Sequence, residues 1–175
     1  MFDIPGWAIR MIQDFLKKPF LILGCGNLLF GDDGFGPAVI EHLETHYSLP
    51  ETVLALDLGT GIKEFLFDLI MAPVKPARII ILDAISQSDR KAGELFEIQL
   101  ERFREGKGGD RLFHQFPSLD QLQQLGSLTG VDIRVLAVQT KEVPDTVRPG
   151  LSPEVQEAVP RACAWLIQEM RSEIN

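Results

Sequence analysis

The sequence predicts an α/β fold: a single-domain, three-layer sandwich over residues 1–175, with a mostly parallel, twisted sheet of about five strands and helices on both faces. Three observations carry this. Short aliphatic runs alternate along the chain with segments whose apolar residues recur at helical spacing. The runs are apolar at consecutive positions, as strands covered on both faces must be. The first of them breaks into a loop of glycines and acids, which is how open α/β sheets present a site at their carboxyl edge.

The elements follow in order. Asp3 can cap a first helix, with Pro5 in its opening turn and Trp7, Ala8, Met11, Ile12, Phe15 and Leu16 on one face; this helix, within 1–18, is an addition ahead of the sheet. Phe20–Leu23 reads as a central strand that ends at Gly24. Phe35, Val39, Leu43 and Tyr47 recur at i+4 and predict a helix. Thr52–Leu56 is a second strand, running into Asp57-Leu58-Gly59-Thr60-Gly61 and a helix through about Met71. Arg78–Leu82 is a third, with Asp83-Ala84 at its end. Leu95, Phe96, Ile98 and Leu100 suggest a further strand. Residues 104–111 are polar and glycine-rich, a surface loop by composition. His114 follows, then Pro117-Ser118 and a helix with Leu119, Leu122 and Leu125 on one face. Ile133–Val138 is a strand. A proline-punctuated connection from Glu142 to Gly150 leads to a last helix, capped by Ser152 with Pro153 in its first turn. Val155, Val159, Ala162, Leu166 and Met170 give its core stripe, and Pro160 should kink it.

Composition narrows the class. A net charge of −8 disfavours nucleic acid and anionic membranes as partners. With only Cys25 and Cys163 there is no disulfide framework, which fits a reducing compartment. Lys17-Lys18 follow the apolar part of the N-terminus, the reverse of a secretory signal. No apolar run approaches the roughly 20 residues that span a bilayer. The expectation is a soluble, cytoplasmic protein.

The glycine loop holds Gly24, Gly26, Gly31, Gly34 and Gly36, together with Asn27, Asp32 and Asp33. A dinucleotide fingerprint would need its third glycine at position 29, which is Leu29, and acids would repel the pyrophosphate. No Gly-Lys-Ser/Thr follows, so a P-loop is excluded and no organic cofactor is expected. Asp33 could cap the helix that begins near Gly34. Two adjacent acids ask for more, since one suffices as a cap and the other must still be satisfied. Capping by one and ligation by the other is the economical assignment.

Loops at strand carboxyl ends converge, so Asp32, Asp33, Asp57 and Asp83 can cluster despite their separation in sequence. With His114 they make a mixed oxygen–nitrogen set suited to a divalent transition metal. Each has a plainer reading: Asp83 as a polar residue satisfied at a strand end, His114 as a surface histidine. His42 and His46 are spaced to chelate, but at a helix end away from the glycine loop, and read as solvated. Cys25 lacks a histidine-plus-orienter pattern and reads as a small buried residue. There is no Gly-x-Ser-x-Gly elbow and no His-Glu-x-x-His helix.

The pattern Gly24-x-Gly26-Asn27-x-x-x-x-Asp32-Asp33-Gly34-x-Gly36 resembles the signature of the nickel–iron hydrogenase maturation endopeptidases. Asp57-x-Gly59-Thr60, Leu82-Asp83-Ala84, His114-Gln115 and Gly150-Leu151-Ser152-Pro153 are similar to the same family in order, so the resemblance runs from about Leu21 to Met170. It implies an endopeptidase that removes a C-terminal extension from the large-subunit precursor of a nickel–iron hydrogenase after nickel insertion. The implied metal contacts, shared with catalysis, are Asp33, Asp83 and His114, and the nickel is carried by the precursor. Some members of that family have Glu where this chain has Asp33. The implied partner is the precursor, with the protease itself a monomer. A non-catalytic nickel chaperone is the alternative, and a metal-dependent hydrolase of small substrates a third reading.

Overall fold

A computed structural model describes residues 18–98 and 119–172. The predicted first helix and His114 fall outside these residues. The described strands form one sheet of five. They are β1 (Phe20–Cys25), β2 (Val53–Gly59), β3 (Arg78–Ile85), β4 (Leu95–Ile98) and β5 (Asp132–Gln139), in the order β2-β1-β3-β5-β4. All pairs are parallel except β4 with β5. The predicted mostly parallel sheet is thus present, with an antiparallel edge strand that the sequence pattern does not distinguish from the others.

Between the strands lie α1 (Phe35–His46), α2 (Ile62–Met71) and α3 (Leu119–Thr129), and after β5 come α4 (Pro153–Gln156) and α5 (Ala158–Ser172). The alternation of side chains along each central strand divides the core in two. Leu21, Leu23, Ile79, Ile81, Val135 and Ala137 pack with α2 and α3 on one face. Ile22, Ile80, Leu82, Leu136 and Val138 pack with α1, α4 and α5 on the other. Most of these side chains are fully buried, each stabilising the fold by about 1.5–3 kcal/mol relative to exposure. The three-layer sandwich follows directly.

Three local differences from the sequence reading matter for the site. β3 does not stop at Leu82; it pairs with β5 through Ile85↔Gln139, so Asp83 lies within the strand. β2 likewise continues through Asp57 to Gly59, after a register irregularity between Gly24 and Cys25. The last helix is broken at Glu157 rather than only kinked, because Pro160 has no N–H to continue the ladder back to Gln156.

β1 lies between β2 and β3 in the sheet, and the helices of the two successive crossovers, α1 and α2, cover opposite faces. The carboxyl end of β1 is therefore the topological switch point, where a crevice opens between neighbouring loops. The glycine loop sits there.

Candidate functional site

The glycine loop is shaped by close backbone approach. Gly26 has φ +120°, and a Cβ there would sit 1.8 Å from the carbonyl oxygen of Asp33. Its N–H donates to Gly59 at 3.0 Å, while Asn27 N–H donates to Asp33 O at 3.2 Å. Gly36 lets α1 press against the strand ends: a Cβ would meet Cys25 O at 2.3 Å and Leu82 O at 2.6 Å. Only glycine satisfies either position. These contacts bring the Asp33 turn down onto the ends of β1 and β3.

Residues Gly31–Gly34 form a 3-10 turn, and α1 starts at Phe35 with Gly34 in the cap position. Neither aspartate caps the helix with its side chain. The expected division into a cap and a ligand therefore does not hold. Asp33 is half-buried beside the Asn27 amide, and burial raises its pKa above the usual carboxylate range.

Asp83 accepts the N–H of Ala84 at 2.8 Å. The residue keeps some exposure, yet its carboxyl is enclosed by protein, and this desolvation pushes its pKa up to about 7, with the nearby charge of Asp33 adding to the shift. Among the described residues, no lysine or arginine forms an ion pair with Asp33 or Asp83. The structure thus brings two predicted site residues into electrostatic contact and leaves both short of positive charge. Such a pair favours the approach of a cation. No group of three candidate metal ligands occurs among the described residues.

Asp57 is exposed, and its carboxylate accepts Gly59 N–H at 2.8 Å in a local turn. It faces the same edge, because Asp83, Asp57 and Asp33 all act on the Cys25 thiol. That thiol is buried, and burial first, then the three acids, push its pKa well up. It stays protonated, as a nucleophile must not. Cys25→Ala is expected to retain processing activity within about twofold and to cost roughly 1 kcal/mol of stability, read from a thermal melt. Loss of activity with the fold intact would return the thiol to the mechanism.

His42 and His46 stack at a centroid distance of 4.0 Å, and His46 Nδ1 lies 2.9 Å from the His42 carbonyl. They sit at the C-terminal end of α1, whose N-terminus faces the glycine loop, so they take no part in the site.

The sequence groups Asp32 with the clustering acids, and the structure gives it a different part. Its side chain is fully buried. One oxygen accepts Lys141 N–H at 2.7 Å, Glu142 N–H at 3.1 Å and the Ser152 hydroxyl at 3.0 Å; the other accepts Ser152 N–H at 2.7 Å. Ser152 occupies the predicted cap position of α4, but its hydroxyl serves Asp32 and makes no capping bond. Asp32 therefore fastens the glycine loop to the connection between β5 and α4. A carboxylate fits because it offers acceptors only, and all four partners are donors.

Comparison with known proteins fits this geometry. The family profile described as HycI, hydrogenase maturation protease, matches residues 37–169. A protein of Methanocaldococcus jannaschii whose name assigns it an inferred role as hydrogenase maturation protease is 37% identical over 157 residues, covering 89% of this chain and 98% of its own. The coenzyme F420 hydrogenase subunit delta of Methanothermobacter thermautotrophicus is 33% identical over 154 residues, 86% of this chain and 93% of that protein. Among solved structures, the hydrogenase maturating endopeptidase HybD from E. coli superposes with a TM-score of 0.69 at 27% identity, covering 88% of this chain and 93% of that one.

Proposed function

This chain belongs to the hydrogenase maturation protease family, and from that premise we propose that it cleaves the C-terminal extension from a nickel-loaded hydrogenase large-subunit precursor, with the precursor's nickel as the recognition element. The observation that supports this most is the Asp33–Asp83 pair: two partly buried carboxylates at the switch point, each with a raised pKa and no cationic partner among the described residues. Burying two acids together costs free energy that a fold has no reason to keep unless something positive docks there.

In this reading Asp33 and Asp83 offer carboxylate oxygens to the cation, and His114 adds the imidazole nitrogen that the family pattern implies. A precursor without nickel leaves the two acids unsatisfied, so it binds poorly and is not cut. The contact also fixes the position of the adjoining peptide bond. Hydrolysis adds one water across that bond, giving a new carboxylate on the large subunit and a free amine on the released peptide. A chain that follows such a partner needs no organic cofactor of its own.

Mass spectrometry tests this directly. Nickel-loaded precursor incubated with the protein is expected to lose a C-terminal peptide, and metal-free precursor is expected to keep its mass. Cleavage of both forms would remove nickel from the recognition step. An unchanged mass in both, with binding retained, would favour the non-catalytic nickel chaperone.

A further inference from the structure

Two stretches far apart in sequence meet beside the carboxylate pair. Arg148 N–H donates to Leu29 O at 2.8 Å, and Gly31 N–H donates to Arg148 O at 2.9 Å, making a parallel bridge between Phe30 and Arg148. Asp32 pins the same two stretches from beneath. Their outer surface is apolar: Leu28, Leu29, Val143 and Val147 are 49%, 48%, 48% and 64% exposed. They are four of the nine large apolar side chains exposed among the described residues. Leu28 and Leu151 both lie against Gly34, directly after Asp33, so the patch is continuous with the site.

Loop surfaces are ordinarily polar, and a loop pair that carries exposed apolar groups while locked by a buried carboxylate is organised for binding. Its charges indicate the occupant. Arg148 and Glu142 pair with each other at 2.6 Å, and exposed Asp145, between Val143 and Val147, leaves the patch net negative. The adjoining edge is acidic: Asp33, Asp57 and Asp83 all act on the Cys25 thiol, and Asp33 acts on Asp83. A complementary ligand is positively charged at one end and apolar along the next few residues.

We propose that Leu28, Leu29, Val143 and Val147 form the docking surface for the apolar segment of the precursor next to its metal-bearing end. The proposal rests on the reading of the carboxylate pair given above. A second copy of this chain is the rival occupant, and a net charge of −8 opposes it through self-repulsion.

The test immobilises nickel-loaded large-subunit precursor and measures binding of the full chain by surface plasmon resonance. Leu29→Asp combined with Val147→Asp is expected to raise the dissociation constant by about tenfold or more. Phe67→Asp, on the exposed face of α2, is expected to leave it unchanged. The serine pair Leu29→Ser, Val147→Ser is expected to weaken binding in the same direction and serves if the aspartates disturb folding. Wild-type affinity in a folded double variant would overturn the proposal, as would a wild-type chain that does not bind. A wild-type dimer in light scattering that the double variant dissolves would assign the patch to self-association instead. Binding that is intact in the wild type and weakened in the variant, without any cleavage, would sink the protease reading and leave the docking surface standing.

Discussion

Asp83→Ala is expected to yield a folded protein with no detectable processing of nickel-loaded precursor in a gel-shift assay. The physical chemistry predicts opposite effects on activity and stability. The carboxyl contributes to no described ion pair and makes one recorded backbone hydrogen bond, to Ala84 N–H. Burial pushes its pKa from 3.8 up to about 7. The folded chain therefore keeps a proton that the unfolded chain releases at lower pH. The raised value fixes the sign of this carboxyl's contribution: it is full below about pH 4, is lost as the pH rises towards about 7, and is level above that. The decline is on the order of 4 kcal/mol. Asp83→Asn, close in shape and uncharged, is expected to abolish this decline and to be more stable than the wild type at pH 8, while remaining inactive. In the wild type a proton competes with the cation for the same oxygens, so processing should weaken as the pH drops below about 7. Normal processing by Asp83→Ala would refute the assignment of the site.

The layered fold was legible because each central strand is apolar on consecutive residues and each helix repeats at 3.6, so local pattern and tertiary role agree. Arg78–Leu82 and Ile133–Val138 are clear for that reason. Their true ends are not, because Asp83–Ile85 join the sheet only through pairing with Ala137–Gln139, which no local pattern records. The direction of β4 escapes for the same reason: Leu95–Ile98 look alike in either orientation, and the partner decides. Of the candidate site, Asp33 is legible as an acid after the first strand and Asp83 as an acid closing the apolar run of the third, although the strand itself continues to Ile85. Asp57 read as a third candidate, yet its carboxylate is engaged by Gly59 in a turn of its own strand end. His114 lies outside the described residues, so its place beside the two acids stands as part of the proposal.

Asp32 is the residue whose role pattern could not give, since its partners are 109, 110 and 120 residues away. The Asp32→Ala variant is expected to be the most destabilised of the site substitutions. Truncation strands the N–H groups of Lys141, Glu142 and Ser152 and the Ser152 hydroxyl, all facing a buried void. Buried donors left unpaired cost about 1–3 kcal/mol each before relaxation, and the exposed connection can relax part of the way. A net loss of about 3 kcal/mol is reasonable, which lowers Tm by roughly 6–12 °C in a chain of this size. Asp32→Asn is expected to recover only part of it, because one oxygen becomes an NH₂ that meets donors. The damage should be local as well as global. Amide hydrogen exchange is expected to speed up at Lys141, Glu142 and Ser152 in particular, while the amides of β1 and β3 keep their order of protection. With the two loop stretches released from each other, the apolar patch loses its shape, so KM for the precursor should rise more than kcat falls. A Tm within a degree of wild type, or unchanged exchange at those three amides, would show that Asp32 does not hold the loops together.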